Sequence, residues 1–172
     1  MFITHMDIPK LIVEKLTQYN FLTNILPGTV LCIMLKYIAK IDLIIEPNWY
    51  LSGILFYFVG IVNNRFSSVV IEPILKKCKV IKHVKYAEYI RAEAKDEKLT
   101  TLSNENNVFR AYISVVLLSI FGFIYNKWLS SFQFTSNYGI LIILILILVL
   151  FVFSYRKQTK YVVNRVKTNN KG

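Results

Sequence analysis

The stretch LIILILILVLFV, Leu141–Val152, decides the fold, because none of its side chains carries a polar atom. A helix that is apolar on every side is stable in hydrocarbon, whereas a surface helix of a soluble domain needs a polar face. With its flanks the run covers residues 138–155. A helix that crosses the hydrocarbon core needs about 17–25 residues, so this segment is predicted to span a membrane.

Three more apolar runs predict membrane spans over residues 21–39, 50–72 and 108–125. The first run is interrupted by Asn24, Pro27, Gly28 and Lys36. Both a full crossing and a re-entrant segment agree with this pattern. The second span is expected to bend or end at Glu72-Pro73, because a residue that precedes proline is disfavoured in the helical conformation.

Ahead of the first span, residues 8–19 place apolar side chains at helical spacing, and Pro9 suits the first turn of a helix. This pattern predicts an amphipathic helix that lies in the membrane interface. A helix that binds a partner protein is the alternative.

The composition agrees with an all-α integral membrane four-helix bundle, formed by residues 1–172 as a single domain. Hydrophobic residues make up 55% of the chain, and the formal net charge is +11. Most of the Lys and Arg residues flank the apolar runs. This distribution favours contact with a bilayer that carries anionic headgroups over binding of nucleic acid.

The Lys and Arg residues also predict the orientation of the spans. The loop 76–107 carries eight of them and the basic tail 156–172 carries six, whereas the links on the other side carry few. By the positive-inside rule, the loop, the tail and both termini face the cytoplasm, and the protein is expected in the inner (plasma) membrane. The lysines expected to contact lipid headgroups are Lys76, Lys77, Lys79, Lys82 and Lys85.

The loop 76–107 is long enough to hold structure outside the membrane. Its composition predicts a helix over residues 86–98, followed by a turn over residues 100–107 with Ser103 as the N-cap of the third span. This loop is the surface on which we expect a cytosolic protein partner to dock.

Candidate site residues gather in the second half of the second span: Asn64, Arg65, Ser68 and Glu72. Arg65 and Glu72 are seven residues apart, so a regular helix places them on one face. A charge at mid-bilayer costs about 2.5–3.5 kcal/mol. Three interpretations stay open: Arg65 reaches the inner headgroups, pairs with Glu72 or a neighbouring helix to hold the bundle together, or lines an aqueous path.

Two further patterns concern helix packing. Gly53, Gly60 and Ser67 recur every seven residues and form a stripe that lets another helix approach closely. That helix belongs either to the same subunit or to another subunit around a pore. Arg110, at the start of the third span, is either an ordinary headgroup-level arginine or a cross-helix partner of Glu72.

Catalytic and metal-binding motifs are not recognised, and neither an enzymatic activity nor a cofactor is predicted. His5 and His83 have no Cys, Asp or Glu at metal-ligand spacing, and no nucleotide-binding or nucleophile motif occurs. Cys32 and Cys78 fall at different depths, so a disulfide between them is not expected.

Three blocks of sequence resemble a group of small bacterial four-span proteins: NFLTNILPG (20–28), YFVGIVNNRFSSVVIEPILKK (57–77) and LSNENNVFR (102–110). Some four-span proteins of this size accompany antiviral systems, including the membrane accessory proteins of Cas13b-type CRISPR loci. The resemblance implies a membrane effector or regulator in phage defence, and it assigns no functional residue.

Two functions follow as hypotheses. In the first, the protein is an oligomeric membrane effector or accessory protein that perturbs the membrane or forms a pore. In the second, it is a non-conducting scaffold or immunity protein that docks a cytosolic partner through the loop 76–107. A small transporter or an enzyme embedded in the membrane is less well supported, because no paired intramembrane carboxylates or broken-helix repeats occur.

Overall fold

The computed structural model describes residues 18–45, 47–81, 84–96, 98–129 and 137–169. Within these ranges the chain forms helices and connecting turns, without a β-strand. Four helices are long and apolar enough to cross a membrane, which defines a multi-pass membrane protein. The interfacial helix predicted over residues 8–19 lies almost wholly outside the described residues, as do Lys82 and His83.

The helices are numbered in chain order. They are α1 (Gln18–Ala39), α2 (Trp49–Lys77), α3 (Tyr86–Glu93), α4 (Lys98–Lys127) and α5 (Asn137–Asn169). Among the described residues of α5, Ile142–Tyr161 is the candidate membrane span by length and composition. Helix α1 continues through Pro27 and Gly28 for 22 residues, about 33 Å, which is long enough for a full crossing.

Several predicted helix ends were wrong. At Glu72-Pro73, where the helix was expected to bend or end, α2 does not end but continues to Lys77, because a π-helical turn at Ser67–Ile71 accommodates Pro73. The turn predicted over residues 100–107 is helical, and Ser103 lies inside α4 rather than at its N-cap. The helix predicted over residues 86–98 ends at Glu93.

The connection between α1 and α2 is held by side chains. Asn48 is the N-cap of α2 and accepts a hydrogen bond from the Leu51 amide at 3.3 Å. The Ser52 hydroxyl exchanges hydrogen bonds with the backbone of Ile45. Hydrogen bonds from the Lys36 ammonium and from a backbone amide hold the pKa of Asp42 below its ordinary value.

Helices α1, α2 and α4 form the packed centre of the bundle, and the residues between them are small. A methyl group at Gly28 would overlap the backbone oxygen of Phe56, and one at Gly60 would overlap the backbone oxygen of Asn24. The two helix backbones therefore touch, as small residues permit in membranes. Ala111 and Ser114, the small residues of α4 at this centre, are fully buried.

Helix α5 is peripheral. Only 6% of its spanning segment is buried, compared with 33% for α1. It packs against α2 and α3, and its apolar side chains Leu144, Leu146 and Leu148 are exposed. In a membrane this surface faces lipid or another protein.

Candidate functional site

The site begins with the π-helical turn in α2. The amide of Glu72 donates to the carbonyl of Ser67, five residues back rather than the usual four. One extra residue in a turn rotates everything that follows by about 100°, because an α-helix has 3.6 residues per turn. Glu72 consequently faces the interior of the bundle and is 4% exposed, whereas Arg65 is exposed on the surface of α2.

The carboxylate of Glu72 is shared by cations from three helices. Lys76 of α2 donates to Oε1 at 2.6 Å, and Arg110 of α4 and Lys157 of α5 contact Oε2 at 2.7 and 2.9 Å. We call Glu72, Lys76, Arg110 and Lys157 the Glu72 cluster. Removing one partner of such a buried ion pair typically costs about 3–5 kcal/mol, and partial exposure of the cations reduces this figure.

Lys157 has a second role, which follows from Pro73. In a helix, the carbonyl of Ser68 would accept a hydrogen bond from the amide of Glu72 or from that of residue 73. The Glu72 amide donates to the carbonyl of Ser67 instead, and Pro73 has no N–H to donate. The ammonium of Lys157 donates to this carbonyl at 2.7 Å and to the Ser68 hydroxyl at 2.9 Å. A backbone carbonyl that proline leaves without its helical partner is thus satisfied by another helix, as the low-dielectric surroundings require.

An aromatic contact lies beside the cluster. The ring of Tyr161, one helical turn after Lys157, stacks on the ring of Tyr86 in α3 with 5.3 Å between centroids. Ser154, one turn before Lys157, is also buried. Helix α5 is therefore attached to the rest of the chain by one face near Lys157, while most of its apolar length has no such contact.

The depth of the cluster follows from the length of α2. The helix has 29 residues and is about 44 Å long, whereas the hydrocarbon core is about 30 Å thick. If Trp49 marks one interface, the helix leaves the core near Ser68. Glu72 then lies at the level of the lipid headgroups, and Arg65 lies within a side-chain length of them.

The structure brings some of the predicted site residues together. The contact between Arg110 and Glu72 is present, and Arg110 also donates from Nε to the hydroxyl of Ser67 at 3.3 Å. Asn64 donates to Asn24 of α1 at 3.0 Å. Arg65 does not face Glu72, and its exposed position agrees with the interpretation that it reaches the headgroups.

The predicted stripe of small residues divides into two parts. Gly60 and Ser67 are buried within the chain, against α1 and α4 respectively. A methyl group added at Gly53 would meet no atom within 4 Å. Packing within one subunit therefore accounts for Gly60 and Ser67, and only Gly53 lies on an open surface.

The predicted headgroup lysines also differ from one another. All four described ones, Lys76, Lys77, Lys79 and Lys85, are exposed, and Lys76 also pairs with Glu72 as part of the Glu72 cluster. No group of three or more His, Cys, Asp or Glu residues is placed to hold a metal within the described ranges. Cys32 is buried and Cys78 is exposed, and both are free thiols.

Sequence reasoning missed the role of Lys157, which it assigned to the basic tail. The sequence feature that could have indicated this role is Pro73. Proline leaves a backbone carbonyl of its helix without a donor, so a cation or hydroxyl from another part of the chain was needed to satisfy that carbonyl. Asn63 was also missed. It is 1% exposed and donates to the backbone oxygen of Ala111 at 3.1 Å.

Comparisons with protein-family models, with curated proteins and with solved structures find no match to this chain.

Proposed function

We propose that this protein is a non-enzymatic, multi-pass membrane effector that acts as a homo-oligomer and changes the permeability of the inner membrane in defence against phage. The observation that carries the proposal is the attachment of α5. This helix is apolar and long enough to cross a bilayer, yet only 6% of its spanning segment is buried. Lys157 attaches it to Ser68 and Glu72 of α2.

Such a helix is suited to rearrangement. The polar contacts near Lys157 fix one end of α5, while the apolar remainder exchanges one apolar neighbour for another at little cost, since lipid tails are as apolar as leucine. Release of the Lys157 end would let α5 move away from α2 and pack against another copy of the chain. The role in phage defence is supported by the sequence blocks that resemble accessory proteins of antiviral systems.

The proposed orientation places the Glu72 cluster on the cytoplasmic side. The support is the excess of Lys and Arg in the loop 76–107 and in the tail after residue 156. Asn107 at the inner part of α4 donates to the Tyr19 hydroxyl at the start of α1. The start of α1 therefore belongs to the same end of the bundle.

Membrane potential measured with a voltage-sensitive dye tests this function. In bacteria that express the wild-type chain, phage challenge should cause depolarisation. Lys157→Gln should depolarise unchallenged cells, because α5 loses its attachment. Arg156→Gln is the matched control: Arg156 is exposed on the same helix, and this variant should behave like the wild type. An unchanged potential in challenged wild-type cells and in the Lys157→Gln strain would contradict the proposal.

A second function is favoured by helix α3. Tyr86 and Ile90 attach α3 to the rest of the chain, whereas Glu88 and Arg91 are exposed and leave a charged face open to a cytosolic partner. In this alternative the protein is a non-conducting scaffold. Reversal of both charges, Glu88→Lys with Arg91→Glu, should then abolish recovery of a partner in pull-down, while membrane potential never changes in any strain. Undiminished recovery would exclude docking at this face.

A further inference from the structure

The Glu72 cluster carries more positive than negative charge. Three cations face one carboxylate, which leaves an excess of two positive charges among these four side chains. Lys76 and Arg110 also retain donors, because an ammonium has three N–H groups and a guanidinium has five, whereas all three N–H groups of Lys157 are used by Ser68 and Glu72. The side chains of Lys76 and Lys157 are 40% and 28% exposed, so the cluster is partly open at the surface of the bundle. The net positive charge and the remaining donors of the cluster therefore favour binding of an anion.

The position of the cluster identifies the kind of anion. With Trp49 at one interface, the length of α2 would place Glu72 just beyond the hydrocarbon core, at the depth where lipid phosphate groups are found. Charges at this depth are partly shielded from water, which strengthens their attraction to a phosphate. Basic pockets between transmembrane helices at this level are typical of sites for anionic headgroups.

An apolar recess runs along α4 from the same level. It has a volume of about 430 Å³ and is lined by Phe109, Tyr112, Ile113, Val116 and Leu117. These residues share one face of the helix, and Arg110 lies about a quarter turn from the middle of that face. The recess extends from the level of Arg110 for eight residues, about 12 Å, toward the middle of the membrane.

We propose that the Glu72 cluster and this recess together bind one anionic phospholipid. Its phosphate accepts hydrogen bonds from Lys76 and Arg110 at the rim of the cluster, Lys157 contributes positive charge, and one acyl chain lies in the recess on α4. The excess positive charge sets the preference for an anionic over a zwitterionic lipid, because a choline group would place another cation against Lys76. The apolar recess sets the preference for a lipid over a free phosphate.

Binding to the full chain in a neutral detergent tests this site, with native mass spectrometry as the readout. Three probes are compared: phosphatidylglycerol, phosphatidylcholine with the same acyl chains, and glycerol 3-phosphate. Phosphatidylglycerol should bind at least about tenfold more tightly than phosphatidylcholine, as expected for hydrogen bonds between charged groups. Glycerol 3-phosphate should bind more weakly than phosphatidylglycerol, because it lacks the acyl chain.

Neighbouring lysines provide the matched variants. Lys76→Gln removes one donor from the cluster but leaves the contacts of Arg110 and Lys157 with Glu72, so the fold is retained. It should weaken phosphatidylglycerol binding by about tenfold. Lys77→Gln removes an exposed charge at the same depth and should change binding far less. Equal effects of the two variants would overturn the proposal.

A second pair of variants tests the recess. Val116→Trp fills it, whereas Ile54→Trp enlarges an exposed apolar residue on α2. Only Val116→Trp should weaken phosphatidylglycerol binding. Equal affinity of phosphatidylglycerol and phosphatidylcholine would overturn the assignment of an anionic lipid. Binding of glycerol 3-phosphate as tight as that of phosphatidylglycerol would instead assign the cluster to a free phosphate ester.

Discussion

Gly60→Ala should destabilise the bundle, and Gly53→Ala should not. The two residues belong to one stripe in the sequence, seven positions apart. A methyl group at Gly60 would lie 2.6 Å from the carbonyl carbon of Asn24 and 3.0 Å from its Cα, and it would overlap the carbonyl oxygen. These are backbone atoms, which cannot move aside as the end of a flexible side chain does.

The magnitude follows from that contact. To restore ordinary van der Waals distances, α1 and α2 must separate by about 1 Å at this point. Overpacking of this kind typically costs about 1–3 kcal/mol. The hydrogen bond from Asn64 to Asn24, in the adjacent turn of α2, would also lengthen, with a loss of about 0.6 kcal/mol in a membrane bundle. A total of about 2–4 kcal/mol is expected for Gly60→Ala.

Gly53→Ala supplies the control, because open space surrounds that position. Alanine has the higher helix propensity, so the variant should be as stable as the wild type or more stable, by up to about 1 kcal/mol. Both free energies of unfolding can be measured by titration with a denaturing detergent in mixed micelles. An unaffected Gly60→Ala variant, or equal losses for the two variants, would refute the close contact between α1 and α2.

Three further predictions concern the Glu72 cluster and the topology. Pro73→Ala restores an N–H that can reach the Ser68 carbonyl. In the Pro73→Ala background, Lys157→Gln should therefore lower the free energy of unfolding by about 1 kcal/mol less than it does in the wild type. Equal losses in both backgrounds would show that the carbonyl does not depend on Lys157. Arg65→Ala should leave the unfolding free energy within about 0.5 kcal/mol of the wild type, because Arg65 is exposed. A large loss of stability would place Arg65 inside the bundle. A reporter fused after Gly172 should be active only in its cytoplasmic form, and activity confined to the periplasm would reverse the proposed orientation.

The membrane-spanning helices were predictable from the sequence for a simple reason. A helix of twelve consecutive residues without a polar side-chain atom, as in Leu141–Val152, is stable in the hydrocarbon core of a membrane. With the flanking residues included, its length matches the thickness of that core. The contact between Arg110 and Glu72 could also be predicted from the sequence, because both charges were expected at similar depths near the ends of their spans. Each needed a partner of opposite sign.

The helix ends were less predictable. Residues 98–107 are polar, and polarity at the membrane surface does not distinguish a turn from a helix that projects beyond the bilayer. Glu72-Pro73 was expected to end or bend the helix, because proline disfavours the helical conformation of the residue before it. The sequence does not show that a π-helical turn ahead of Pro73 lets the helix continue. The same turn rotates Glu72 away from Arg65, which invalidates the face assigned from a regular repeat.

The position of α5 could not be predicted at all. Lys157 and Glu72 are separated by 85 residues, and helical periodicity says nothing about which helices become neighbours. The apolar part of α5 carries no small or polar residue to specify a partner. Its attachment depends on Ser154, Lys157 and Tyr161, which share one face only if the helix is known to continue beyond residue 155.

The central claim is that the Glu72 carboxylate of α2 holds α5 through Lys157, and a double-mutant cycle measures this most directly. The free energies of unfolding of the wild type, Glu72→Gln, Lys157→Gln and the double variant give a coupling energy. We expect about 1–3 kcal/mol, because the two groups are 2.9 Å apart and largely shielded from water. Additive effects of the two substitutions would contradict a direct ion pair between α2 and α5.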